Sequence, residues 1–359
     1  MDASALRAEF PVLAQLAYLN AGTDGPLPAA AVRASAEELE REARDGRTWA
    51  HFQRRGELGQ QLRGTYAQLL SCAPEDVALT TCTSEGVAQV VAGLPLAGGD
   101  EILTSDEEHP GVLGPLGAAR ELRGVSVREV PLARIAAEVS PRTRLVVCPH
   151  VGWMSGALAP AELAQVEVPV LLDGAQGIGA VPVDVNELGC DAYAGAGQKW
   201  LCGPDGTGML YVSPRLRDAL AVPRRAYGNL RDANEGLAAR LHEDARRFDS
   251  PALAAETLVC AVAAAAVLQR AGWAEVHARA AQLARRLAEL LSAAGREVAP
   301  RDHTTLVSFT SADPEQERRH LAESGCVVRN IPGRPWLRAS VGAWNDEHDI
   351  DRLLAALFQ

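Results

Sequence analysis

The chain is poor in aromatics, has no cysteine pairs and contains no long apolar run, and each shortage narrows what it can be. Only 4% of its 359 residues are Phe, Trp or Tyr, so the 47% that are hydrophobic must build a core mainly of Ala, Leu and Val. The seven cysteines are odd in number, scattered and never spaced CxxC. That excludes a disulfide framework or zinc site and reads as reduced thiols of a cytoplasmic protein; no metal is expected. No apolar run reaches bilayer-spanning length. The opening MDASALRAEFPVLAQL lacks the basic start and apolar centre of a signal peptide, so a cytoplasmic location is expected. Excess positive charge is missing too. With 35 Lys and Arg against 46 Asp and Glu the net charge is −11, which argues against nucleic acid or an anionic membrane as partner. There is no internal repeat and no long run of like charge. The length accommodates one large domain plus a smaller one.

What is present centres on residues 168–212, VPVLLDGAQGIGAVPVDVNELGCDAYAGAGQKWLCGPDGTGMLYV. Val168 to Leu172 is apolar on both faces, as suits a buried parallel strand, and ends in Asp173. A second run ends near Cys190, Asp191, Ala192 and Tyr193; Lys199 follows among glycines, and Gly208 to Val212 closes the stretch. A strand-end acid followed by a lysine in glycine-rich, weakly polar surroundings is what pyridoxal 5′-phosphate (PLP) chemistry requires. The acid keeps the pyridine nitrogen protonated, and the lysine holds the aldehyde and moves protons. Either residue alone would be an ordinary strand end or surface lysine.

The string DGAQ…VDV…LGCDAY…GQKWLCGPDGTGMLYV resembles the fold-type I PLP enzymes of the class V aminotransferase and cysteine desulfurase family. The resemblance implies that Asp173 binds the pyridine nitrogen, Gln176 lies near the phenolic oxygen and Lys199 is the Schiff-base residue. Gln198 stands where relatives carry a phosphate-contacting His; it can donate a hydrogen bond but adds no positive charge. Thr83 and Ser84, between a strand and a helix, match the phosphate-binding turn, whose free N–H groups attract anions. Capping of that helix by either residue would have the same geometry. His109 in DEEHPGVL matches the His that stacks on the cofactor ring and takes part in proton transfer. Asn20 and Ala21, in NAGTDGPLP, match the opening loop near the substrate carboxylate. Arg338 in Arg338-Ala339-Ser340 matches the carboxylate clamp, with Arg329 as a second basic position. Ser250 in RRFDSP matches, with a string about two residues shorter, a segment that contacts the partner subunit's phosphate.

The implied architecture is α/β: a three-layer α/β/α large domain with a mostly parallel sheet over residues 19–250, and a small α+β domain from residues 1–18 and 251–359. A homodimer with shared active sites and a small amino-acid substrate are implied as well. DEEHPGVL, HVGWMSGALAP and GQKWLCGP look most like the cystine C–S lyase branch. Trp153, a candidate substrate contact, stands where desulfurases usually have Asn, and Asn330 to Leu337 contains no cysteine to take up sulfur. The expected reaction is therefore loss of a sulfur leaving group from Cβ of a cystine- or cysteine-type amino acid, giving pyruvate and ammonia. Transamination, epimerisation and another β-elimination remain open, since such sites differ little in their cofactor motifs. Desulfuration ranks lower. Lowest is a PLP-sensing domain of a regulator, which would need a DNA-binding segment for which the chain has no room.

Overall fold

The computed structural model describes residues 1–358. The chain opens with α1 (Ala3–Ala8), β1 (Ala17–Tyr18), α2 (Ala29–Asp45) and α3 (Trp49–Leu70). A central unit follows: β2 (Val77–Thr80), α4 (Thr83–Gly93), β3 (Glu101–Ser105), α5 (Pro110–Arg123), β4 (Ser126–Val130) and β5 (Thr143–Pro149). It continues with β6 (Val170–Asp173), β7 (Ala192–Ala196), β8 (Gly208–Val212) and α6 (Pro214–Ala219). Then come α7 (Ala255–Ala271), α8 (Trp273–Ala293), β9 (Leu306–Thr310) and α9 (Pro314–Glu323). β10 (Cys326–Val327), β11 (Arg329–Asn330), β12 (Trp336–Ser340) and α10 (Glu347–Leu357) complete the fold.

Seven strands form the main sheet in the order β2-β8-β7-β6-β5-β3-β4. Only β8 runs against its neighbours, so β2, β3, β5, β6 and β7 all end at the same edge. Adjacent residues point to opposite faces of a strand. Leu172 accordingly packs with Leu62 and Tyr66 of α3, while Leu171 packs with Val87 and Val90 of α4 and Leu116 of α5. Burying each such side chain contributes about 1.5–3 kcal/mol, and a sheet covered on both faces holds its strand ends in fixed positions. The smaller unit contains the sheet β11-β12-β9 and the parallel pair β1-β10, packed on α8 and α10. Among the described residues no single helix is long and apolar enough to cross a membrane.

Several local expectations change. Arg47 to Leu58, whose mixture of aromatic and basic residues carries no clean apolar period, lies mostly within one 22-residue helix running to Leu70. Its exposed Trp49 and Phe52 blur the apolar stripe, while Leu58, Leu62 and Tyr66 bury the other face. The strand expected near Cys190 to Tyr193 begins only at Ala192 and runs to Ala196. Its Ala-Tyr-Ala-Gly-Ala sequence has weak strand propensity and is held by neighbours on both sides. Cys326 to Arg329, continuous in sequence, is divided between two pairings. Cys326 and Val327 pair in parallel with β1, whereas Arg329 pairs antiparallel with Arg338. Helix α7, expected on the small-domain side of residue 250, places Leu258 and Ala261 in the core of the main sheet.

Candidate active site

The shared strand edge gathers most of the expected residues. One cavity is lined by Thr83, Ser84, His109, Asp173, Gln198 and Lys199. Each comes from the C-terminal end of a parallel strand or the turn beyond it, the usual ligand position in open α/β sheets.

Lys199 is held by a tight turn in which the Cys202 N–H donates to the Lys199 carbonyl at 3.1 Å. Cys202 has φ of 54°, a left-handed conformation uncommon for a non-glycine residue. Burial lowers the Lys199 amine to about 8, against the opposing pull of the Asp173 carboxylate; Arg338 and Arg329 add to the lowering. Asp173 is 5% exposed. Its Oδ1 accepts the Ala175 N–H at 2.8 Å, and burial raises its pKa, with Lys199 opposing.

At the other end of the cavity α4 presents its N-terminus. The cap position belongs to Cys82, which makes no side-chain cap bond, so Thr83 and Ser84 are the first helical residues rather than its caps. The buried Thr83 hydroxyl and Gln198 Oε1 have no hydrogen-bond partner. Unpartnered buried polar atoms are costly, and here they border free helix N–H groups. A phosphorylated pyridine fits this set: a phosphate at the Thr83 and Ser84 hydroxyls and the helix N–H groups, to which only the Nε2 of Gln198, not its Oε1, could add a donor, with a ring nitrogen at Asp173 and an aldehyde at Lys199.

His109 is the N-cap of α5, and its Nδ1 accepts the Gly111 N–H at 3.0 Å. That fixes the tautomer with the proton on Nε2. Burial, then Lys199, Arg329 and Arg338, lower its pKa to about 4, so the ring is neutral at pH 7. Trp153 meets it edge-on with centroids 5.1 Å apart, and donates its indole N–H to the Glu108 carbonyl at 3.1 Å.

Arg338 is 1% exposed. It donates to the Trp153 carbonyl at 2.8 Å, and its second terminal nitrogen reaches the Thr23 hydroxyl at 3.4 Å, as Arg329 does at 3.2 Å. Burial, then the neighbouring Arg329, lowers Arg338 to about 9. Neither guanidinium pairs with a carboxylate among the described residues, so two cations converge beside Lys199 on a neutral hydroxyl. An α-carboxylate is the complementary ligand.

Asn20 and Ala21 sit in the loop that carries Thr23. Asn20 Oδ1 accepts the Thr23 hydroxyl at 2.8 Å, and Ala21 is fully buried. Gln176 is engaged at both ends, donating to the Gly22 carbonyl at 2.7 Å and accepting the Trp200 indole N–H at 2.9 Å. It therefore ties the opening loop to the strand end and keeps one N–H uncommitted. Ser250 is not a free donor, because its hydroxyl lies 2.6 Å from both oxygens of Glu85 in its own chain. With its one proton given to that carboxylate, its geometry does not suit a phosphate donor.

Sequence reasoning passed over Thr23, Gly22, Gly25 and Glu108. A Cβ on Gly22 would lie 2.7 Å from Ser340 Oγ and 3.1 Å from Arg338 Nη2, and one on Gly25 would run into the Lys199 carbonyl. All but Glu108 lie in NAGTDGPLP, where the density of small residues was the available signal. Glu108, the acid before His109, is buried with Oε1 unpartnered, and burial followed by repulsion from Asp173 holds its pKa well above the usual carboxylate range. Glu38, Glu42 and His51 bring ligand atoms within 4.8 Å of one another. Arg41, Arg54 and Arg47 already neutralise the two carboxylates.

A family model described as Aminotransferase class-V matches residues 17–353. A probable cysteine desulfurase of Methanothermobacter thermautotrophicus is 31% identical over 245 residues, covering 64% of this chain but only 61% of that protein. An isopenicillin N epimerase of Streptomyces clavuligerus is 29% identical over 385 residues, 94% of this chain and 93% of the relative. Among solved structures, a lysine-to-alanine mutant of C-DES with glycine covalently linked to its PLP cofactor superposes with a TM-score of 0.92 at 30% identity, covering 98% of both chains. The cystine C–S lyase C-DES bound to its reaction product cysteine persulfide gives 0.90 at 29% identity, over 97% of this chain and 98% of that one.

Proposed function

Since the chain belongs to the class-V aminotransferase family and is a PLP-dependent enzyme of fold type I, we propose that it eliminates a sulfur leaving group from Cβ of a cystine- or cysteine-type amino acid. With cystine and water the products are pyruvate, ammonia and cysteine persulfide. The observation that carries this reading is the pair of uncompensated guanidiniums, Arg329 and Arg338, beside Lys199 on a hairpin that offers no thiol. Cys82 does line the cavity, but next to Thr83 and Ser84 at its phosphate end. The likeness to C-DES supports the same reading.

Bound PLP supplies the aldehyde that takes the substrate amine and a ring that accepts electrons from Cα. Arg338 holds the α-carboxylate with Arg329 beside it, which fixes the orientation of the Cα–H bond. Lys199 Nζ, lowered to about 8, is an effective base for that proton near neutral pH. Asp173, with one oxygen not bonded to Ala175, is placed to accept a pyridinium N–H. Neutral His109 offers a flat face and an Nε2–H without adding a second positive charge. A persulfide departs more readily than a thiolate of higher pKa.

A holoenzyme incubated with cystine or cysteine, without keto acid, tests the reaction. Equal pyruvate and ammonia support elimination, whereas alanine as main product, or no turnover until keto acid is added, overturns it. A second reading, epimerisation or transamination of another amino acid, is favoured by the near-full-length match to the epimerase. Inversion at Cα, with solvent deuterium incorporated and no loss of amino acid, would select epimerisation. The reading includes a homodimer: Trp49, Tyr227 and Leu237 are 74%, 76% and 110% exposed, apolar surface that a second copy would cover. The seven free cysteines support a reducing, cytoplasmic setting.

A further inference from the structure

A second cavity, of about 250 Å³, lies between the large and small units and is lined by Asp106, Glu107, Met154, Ser155, Arg334 and Trp336. Two loops connect it to the active site. At the active-site end His109 meets Trp153; at the cavity end Glu107 Oε2 accepts the Ser155 N–H at 3.2 Å. The same two-residue step therefore leads from ring to cavity along both loops. The small unit repeats it. Trp336 and Arg338 share one face of β12, and Arg338 holds the Trp153 carbonyl while its cross-strand neighbour Ser308 holds that of Met154. Two strand residues span about 7 Å, so the cavity begins one such step from the carboxylate clamp.

Its charges are opposed and incompletely used. Arg334 is exposed and pairs with no carboxylate among the described residues. Glu107 Oε2 accepts the Ser155 N–H, the Ser155 hydroxyl and the Met154 backbone also lie against this carboxyl, no cation pairs with it among the described residues, and burial raises its pKa. Asp106 gives one oxygen to the Leu132 N–H. A guanidinium and two carboxyls facing one small cavity complement a ligand carrying both a carboxylate and an ammonium. The two Cα atoms of a disulfide-linked cysteine pair lie about 5.5–6 Å apart, about 1–1.5 Å less than the step of about 7 Å from clamp to cavity.

Building on the C–S lyase reading, we infer that this cavity is a subsite for the distal half of an amino-acid disulfide, with Arg334 taking its carboxylate and Glu107, assisted by Asp106, its ammonium. The subsite selects substrates with a zwitterionic group beyond the sulfurs over disulfides without one.

The test uses holoenzyme and four disulfides of cysteine: cystine, S-methylthiocysteine, and the mixed disulfides with 3-mercaptopropionate and with cysteamine. The expected kcat/KM is greater for cystine than for S-methylthiocysteine. Arg334→Ala should lower the cystine to S-methylthiocysteine ratio by about 10-fold or more, the loss of one charge-assisted contact. It should weaken the mercaptopropionate disulfide and spare the cysteamine one; Glu107→Gln should do the reverse. Equal kcat/KM for cystine and S-methylthiocysteine in the parent, or ratios unmoved by both substitutions, would overturn the subsite. If no disulfide is turned over, the lyase reading fails by itself. The same ratios are then read from Kd, by titrating the cofactor absorption: discrimination lost in Arg334→Ala sustains the subsite, and equal Kd values overturn it.

Discussion

Arg329 and Arg338 donate to the same oxygen, the hydroxyl of Thr23, at 3.2 and 3.4 Å. Two like charges share one neutral acceptor, the Trp153 carbonyl takes one further N–H of Arg338, and the neighbouring Arg329 lowers the Arg338 pKa, so the pair leaves strong demand for an anion. Arg338→Ala should therefore cost about 2–5 kcal/mol in kcat/KM for amino-acid substrates. Arg338→Lys should recover little of it, because an ammonium cannot reproduce the fork. Steady-state kinetics on an amino acid and its methyl ester provide the check: the parent should discriminate strongly between them and the variants should not.

Lys199 should carry the cofactor. Borohydride reduction of yellow holoenzyme should fix the label to the peptide containing Lys199, and Lys199→Ala should abolish the covalent adduct. Label on another lysine would remove it from the mechanism.

The buried amine makes a thermodynamic prediction for cofactor-free protein. Its folded value, about 8, lies below the ordinary lysine value of 10.5. Between those values the unfolded chain binds the extra proton, so this group's contribution to stability rises with pH across that window and is flat below it. Lys199→Met should remove the rise, which amounts to a few kcal/mol. Denaturant midpoints of parent and variant at pH 7.5, 9 and 10.5 should diverge in slope, and parallel curves would contradict the placement.

Phosphate retention should separate Thr83 from Ser250. Thr83→Ala removes a buried hydroxyl that has no other partner, and should weaken PLP binding about 10-fold. Ser250→Ala removes a hydroxyl already given to Glu85, and should leave PLP affinity within about 2-fold, since Thr81 still supports that carboxylate. Equilibrium dialysis of PLP against both variants reads the difference.

Gly25→Ala should be far more damaging than its place in a half-buried loop suggests. A methyl there would enter the Lys199 carbonyl, and the Gly25 N–H donates to the Gln198 carbonyl at 2.7 Å. Overpacking against backbone costs about 1–3 kcal/mol, visible as a lower Tm and a weakened cofactor band.

That Thr83, Ser84, His109, Asp173, Gln198 and Lys199 share one cavity was legible in the chain. Asp173, Lys199 and Arg338 sit in dense local strings whose residue types mean little apart and much together. Thr23 and Glu108 were not legible, because their importance comes from what is folded against them: two arginines from a distant hairpin, and a buried acid behind the strand ends. The same physics explains the misread elements. Val327 and Arg329 look like one strand because propensity is local, yet their partners, Tyr18 and Arg338, are set by tertiary register. Ser250 had the right neighbours in sequence, but Glu85 takes its only proton.

Thr23 and Arg338 are separated by 315 positions, and β1 finds its partner Cys326 across a similar span. On the ribosome, the loop carrying Thr23 must wait while the whole main sheet is synthesised. Lys199 and Asp173 can fold together early, since their strands are neighbours, but the proposed carboxylate clamp closes last. A chain arrested between β8 and β12 would carry a cofactor-ready lysine with nothing to orient an amino acid over it. Such a long loop closure also makes this contact the slow, late event of refolding, so recovery of substrate recognition should lag behind recovery of cofactor colour.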